Sequence, residues 1–169
     1  MTTTISPLVS KPGSPRAARA KAGTACFMID SVPISRADPE QRIEILRSGF
    51  PADILTDLAS SMRWSRDHAL EVFRVKRSTA MRKIKAKARL ATDESERILS
   101  VIDLIEQVQC MVERSGDPSG FDAAAWLAQW LERANPALAG KCPADYLDTN
   151  EGIGIVRRLL AQMESGAYA

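Results

Sequence analysis

Trp126-Leu-Ala-Gln-Trp130-Leu-Glu-Arg-Ala-Asn135-Pro-Ala-Leu-Ala-Gly140-Lys-Cys-Pro-Ala-Asp145-Tyr-Leu-Asp-Thr-Asn150-Glu-Gly152, running on through Ile153 to Ala169, is the stretch that decides the fold. It predicts two helices joined by a compact turn. Trp126 and Trp130 stand four apart, as do Leu127 and Leu131, which places both pairs on one helical face as core anchors. Asn135-Pro136 closes that helix, because proline disfavours the helical conformation of the residue before it. Gly140 and Pro143 punctuate the link, and Pro143 suits the first turn of a short helix through Tyr146 and Leu147. Thr149 caps the last helix, whose buried stripe is Ile153, Val156, Leu159, Leu160 and Met163, with Gly166 as its stop.

The same residues carry a family pattern. Trp126-Leu127, Asn135-Pro136-Ala137-Leu138-Ala139-Gly140-Lys141, Pro143, Asp145, Leu147-Asp148-Thr149, Glu151-Gly152 and Met163-Glu164-Ser165-Gly166 keep many fixed spacings over about forty residues. This segment resembles the C-terminal domain of the Xre/MbcA/ParS antitoxins. Ala139 and Cys142 depart from the pattern, which has Gly and then Thr or Pro at these places. The resemblance implies an antitoxin that neutralises a RES-domain toxin, a class that consumes NAD or uses it for ADP-ribosylation. It further implies toxin contacts from Asn135, Pro136, Leu138, Lys141, Asp145, Glu151, Gly166, Tyr168 and Ala169, with the chain end covering or entering the toxin's NAD site.

Outward from this module, composition sets bounds. The 169 residues suit one moderate domain or two small ones, and 45% apolar residues can furnish a core. Cys26, Cys110 and Cys142 lie far apart and in odd number, which is neither a disulfide framework nor a metal-ligand spacing. No apolar run approaches the roughly 20 residues of a membrane span, and no secretory signal opens the chain. The expected setting is the cytoplasm, with no membrane partner.

The net charge of +2 conceals a split. Between Lys76 and Arg89 every charged residue is basic: Lys76, Arg77, Arg82, Lys83, Lys85, Lys87 and Arg89. From Phe121 onward the acids Asp122, Glu132, Asp145, Asp148, Glu151 and Glu164 outnumber the bases Arg133, Lys141, Arg157 and Arg158. Two halves of opposite character imply two kinds of partner.

Read from the start, residues 1–35 form a basic tail expected to be disordered, since the stretch through Gly23 has too few large apolar residues to bury anything. Cys26-Phe-Met-Ile29 is a short apolar run that periodicity cannot assign. Asp38-Pro39 starts a helix with Ile43 and Leu46 inward, and Gly49 ends it. Pro51 begins a second helix carrying Ile54, Leu55, Leu58 and Met62. Ser65 caps a third through Phe73, with Ala69 and Leu70 as core. After a turn at Val75-Lys76, a fourth runs from Arg77 to Leu90. Thr92 caps a long helix on which Ile98, Val101, Ile102, Ile105, Val108, Met111 and Val112 recur at steps of three and four. Ser115-Gly-Asp-Pro-Ser-Gly120 is the clearest break. The expected fold is all-α: a helix-turn-helix bundle for DNA binding and dimerisation at 36–115, ending in the long connecting helix, then a small helical toxin-binding domain at 121–169.

In the basic helix, Ala80, Ile84 and Met81 can face inward. Lys76, Arg77, Ser78, Thr79, Arg82, Lys83 and Lys85 are then the DNA-binding candidates, with no acid in the run to pair with. Arg and Lys hold phosphates, and the start of a recognition helix reads base edges. Val75 to Arg82 also resembles the family's second helix-turn-helix element, departing from it at Ser78 and Ala80. No catalytic constellation emerges. His68, the single histidine, reads as a surface residue. Gly152-Ile-Gly154 has Arg157 where a dinucleotide fingerprint needs its third glycine, and no strand precedes it. The leading expectation is a non-enzymatic, cofactor-free antitoxin that binds a RES toxin and operator DNA, as a homodimer. The alternative is a helix-turn-helix regulator whose C-terminal half only dimerises or senses a ligand.

Overall fold

The computed structural model describes residues 27–30 and 32–165. Most of the expected tail and the final four residues, including Gly166, Tyr168 and Ala169, lie outside the described residues. Among the described residues the fold is all-α apart from one small hairpin, β1 (Met28–Ile29) with β2 (Val32–Pro33), in which Met28 faces Pro33 and Ile29 faces Val32. The last part of the predicted tail is therefore packed: Phe27, Ile29 and Ile34 are buried, and the Ile34 amide donates to the Phe27 carbonyl at 3.1 Å. Apolar side chains this close together in the chain can bury one another.

Helix α1 (Pro39–Ser48) begins as expected. Asp38 accepts from the Gln41 amide at 2.8 Å and Gln41 accepts from the Asp38 amide at 3.2 Å, a reciprocal cap. Its inward face is not the expected one. Ile43 is 47% exposed, whereas Ile45 and Leu46 pack on the core and Arg42 pairs with Asp103 at 2.5 Å. That ion pair fixes the helix's rotation. At Gly49, φ is +77° and a Cβ would collide with the Leu90 carbonyl oxygen, so only glycine fits.

Pro51 does not start a helix. It forms an antiparallel bridge with Arg89, flanked by Leu90 N–H to Phe50 carbonyl at 2.8 Å and Ala52 N–H to Ala88 carbonyl at 3.1 Å. This short pairing gathers α2 (Ile54–Ser61), α3 (Arg66–Val72) and α4 (Arg77–Lys85) into one closed unit. It also explains why α4 stops at Lys85 instead of Leu90: the chain must straighten to reach Phe50, and Lys87 turns with φ +48°. Between α3 and α4, Arg74 takes φ +54° while the Val75 amide donates back to the Leu70 carbonyl at 2.9 Å. This left-handed closure gives the helix-turn-helix its sharp corner.

Helix α5 (Thr92–Ser115) is the spine. Its cap is Ala91, one residue earlier than expected, because Glu94 reaches back to the Ala91 amide at 2.8 Å. Its 24 residues span ~36 Å at 1.5 Å each. Ile98, Val101, Ile102, Ile105 and Val108 are buried as the periodicity requires, with Leu99 and Leu104 beside them. α1 packs against this helix, and so do α6 (Ala123–Leu131) and α7 (Asn150–Glu164), so one hydrophobic core runs through both halves. α6 buries Leu127 and Leu131, and its alanines Ala123, Ala124, Ala125 and Ala128 let neighbouring backbone approach closely. Trp126 and Trp130 are not deep anchors. They stack on each other half-exposed, ring centroids 6.3 Å apart and planes 9° off parallel, because residues one step round the helix already fill the contact with α5.

Candidate functional surfaces

On α4 the inward residues are Ala80, fully buried, with Met81 and Ile84 packed against the core. Lys76, Arg77, Ser78, Arg82 and Lys85 are exposed and Thr79 is half-exposed. Contrary to expectation, the basic run does find acids, supplied by other elements. Lys83 is largely buried and donates to Glu94 at 2.5 Å, at the start of α5. Arg77 pairs with Asp67 of α3, and Arg89 makes a forked contact with Asp30 at 2.8 Å. Lys83 is thus a strut between α4 and α5. Among the described residues Lys76, Arg82, Lys85 and Lys87 have no ion-pair partner, which leaves four exposed, uncompensated cations along α4 and its two ends.

The turn between α6 and α7 is built around Asn135, which is buried. Its side chain accepts from the Ala137 amide at 2.9 Å, its amide donates to the Lys141 carbonyl, and its carbonyl accepts from Leu138 and Gly140, each at 3.0 Å. One residue thereby closes the loop on itself. α6 in fact ends at Leu131, before Asn135, and Pro136–Leu138 forms a single tight turn of its own. Leu138 is buried beneath that turn. Pro143–Tyr146 is a second such turn, with Asp145 accepting from the Cys142 amide at 3.3 Å. Thr149 then caps α7 by accepting from the Gly152 amide at 3.1 Å. A Cβ at Gly152 would collide with the Tyr146 carbonyl oxygen, so glycine allows the second turn to sit on the start of α7.

Of the predicted toxin contacts, Pro136, Lys141, Asp145 and Glu151 are exposed on this rim. Asn135 and Leu138 lie beneath it, buried, and hold the rim in shape. The two halves are also stitched at the surface. His68 meets Glu132 at 2.6 Å, Arg63 meets Asp122 at 3.0 Å, and Arg157 meets Asp103 at 3.5 Å. None of these contacts was visible in the sequence, since each joins residues more than 50 positions apart. Among the described residues no three His, Cys, Asp or Glu side chains group to hold a metal ion, and no helix is long and apolar enough to cross a membrane.

A cationic helix-turn-helix fused through a shared spine to a turn-pinned helical module is the build of a two-module antitoxin. Comparison with known proteins agrees in both halves. Residues 41–103 match the Antitoxin Xre-like helix-turn-helix domain, and residues 120–166 match the Antitoxin Xre/MbcA/ParS C-terminal toxin-binding domain. A protein of Sphingobium sp. (strain YBL2) named Prs ADP-ribosylating antitoxin is 39% identical over 134 residues, covering 79% of this chain and 84% of that one. The chain belongs to the Xre/MbcA/ParS antitoxin family. It is the antitoxin of a toxin–antitoxin system, which sets aside the reading of a plain ligand-sensing regulator.

Proposed function

We propose that this antitoxin neutralises a RES-domain toxin by covering its NAD-binding cleft, and that its helix-turn-helix represses its own operon as a homodimer. The observation that carries the reading is the rim of Pro136, Lys141, Asp145 and Glu151, within the stretch that matches a toxin-binding domain. The turn beneath it is closed by the hydrogen bonds of Asn135, so the rim is preorganised and binding requires little further ordering. The name of the Sphingobium relative supports an NAD-using toxin, because ADP-ribosylation takes its ADP-ribose from NAD. Gly166, Tyr168 and Ala169 are proposed to enter the cleft beside the rim.

The adjacent reading frame, expressed alone, is expected to arrest growth and draw on the NAD pool or label a target with ADP-ribose. Co-expression with this chain should abolish both effects. Deleting residues 166–169 should restore toxicity without loss of the folded circular-dichroism signal. A neighbour that is harmless alone would remove the reading, and full protection by the shortened chain would remove the part assigned to residues 166–169.

A further inference from the structure

A cavity of about 220 Å³ opens on the flank of α5, lined by Ser35, Ile105, Glu106, Gln109, Glu113 and Ala123 among others. It contains none of the residues assigned to DNA or toxin. Glu106 and Glu113 stand seven positions apart, ~10 Å along the helix, with Gln109 between them. Gln109 is only 7% exposed. Its Nε2 donates to Glu113 Oε1 at 2.8 Å, which fixes the amide's orientation. Its Oε1 is then a buried acceptor with no donor among the described residues. Buried polar atoms are nearly always met by a partner, so an orphan acceptor between two carboxylates points to a donor from outside. Arg42 acts on the Glu106 carboxyl, as does a hydrogen bond from Ser35, but Arg42 pairs directly with Asp103 at 2.5 Å, and Asp103 also holds Arg157. Ile105 and Ala123 supply apolar wall.

We propose that this cavity binds an alkyl cation, an ammonium or guanidinium whose head donates to Gln109 Oε1 and the Glu106 and Glu113 carboxylates while its stem lies on Ile105 and Ala123. A hard metal ion is the poorer match, because Ca²⁺ takes six to eight oxygens and Mg²⁺ demands a tight octahedron. Burial, with Asp103 second, pushes the Glu106 carboxyl above its usual range, a penalty that a bound cation relieves. The same head group occurs on free amines and guanidines and on Lys or Arg side chains of a protein.

The test is a titration of the isotopically labelled full-length chain with n-butylguanidinium, n-butylammonium and n-butanol, read at the Gln109 side-chain amide by NMR. Both cations should give saturable shifts with dissociation constants of roughly 1–10 mM, and butanol should not. The double variant Glu106→Gln, Glu113→Gln should weaken the cations at least tenfold. Its thermal melt, recorded alongside, separates impaired binding from impaired folding, and each single variant repeats the measurement if the double one melts early. Equal responses to butanol, or no saturable shift by about 50 mM, would overturn the proposal. The same spectrum taken with the toxin bound distinguishes the sources. A Gln109 amide already shifted in the complex, and insensitive to butylguanidinium, identifies a partner's side chain. An unshifted amide that still titrates identifies a small molecule.

Discussion

Ala139 holds a left-handed conformation, φ +53° and ψ +37°, at the end of the Pro136–Leu138 turn. A side chain there costs roughly 1–2 kcal/mol over glycine, and glycine is the residue the family pattern has at this place. Ala139→Gly is therefore expected to stabilise the chain by about 1 kcal/mol, a rise of roughly 2–4 °C in the melting temperature. An unchanged or lower melt would mean that the turn relaxes around the alanine. Glu106 offers a second test. Its carboxyl is raised by burial above its ordinary value of 4.5, so the native state holds its proton more tightly than the unfolded chain does. That stabilisation is complete below about pH 4.5 and is lost as pH rises through the higher native value. Glu106→Gln should accordingly melt above the parent at pH 7, with the gap closing towards pH 4. At this scale the turns were legible, because Asn135, Pro136, Gly140, Pro143 and Thr149 act through their own backbone and near neighbours. The left-handed strain at Ala139 and the burial of Glu106 depend on what the rest of the chain does.

Helix α4 divides the same way. Its start after Lys76 and its inward Ala80 followed from local pattern, but its end and its ion pairs did not. Glu94 lies 11 positions from Lys83 and Asp67 ten from Arg77, spacings that no single helix brings together. The consequence is a split between neighbours that look alike in sequence. Arg82→Ala should lower the slope of log affinity against log salt by about 0.9 for each phosphate it no longer neutralises, with little effect on stability. Lys83→Ala should leave that slope almost unchanged and instead lower the melting temperature, because Glu94 is deprived of a largely buried partner. Salt titrations of operator binding for the two variants, with melts of each, check both statements. Equal slope changes would put Lys83 on the duplex.

Across the whole molecule, α5 carries one core that serves both modules. Its stripe was readable because a repeat of three and four sustained over 24 residues fits only a helix, whereas the hairpin at Phe27 to Pro33 was too short to assign. The division at Ser115–Gly120 was equally plain, and the residues on either side of it share one core. Ile102 is fully buried at the centre of this spine. Ile102→Ala should cost about 2–5 kcal/mol and lower a single transition in which the tryptophans of α6 and the helices of the DNA-facing unit melt together. Two separated transitions would show that the halves fold independently. The sharing of α5 also bears on turnover. A protease that cuts the exposed Ser115–Gly120 link and releases α6 and α7 would uncover a row of isoleucines and valines that the DNA-facing fragment cannot hide. Release of the toxin's brake and, on the autorepression proposed above, departure of the promoter's occupant would then follow from the same cleavage.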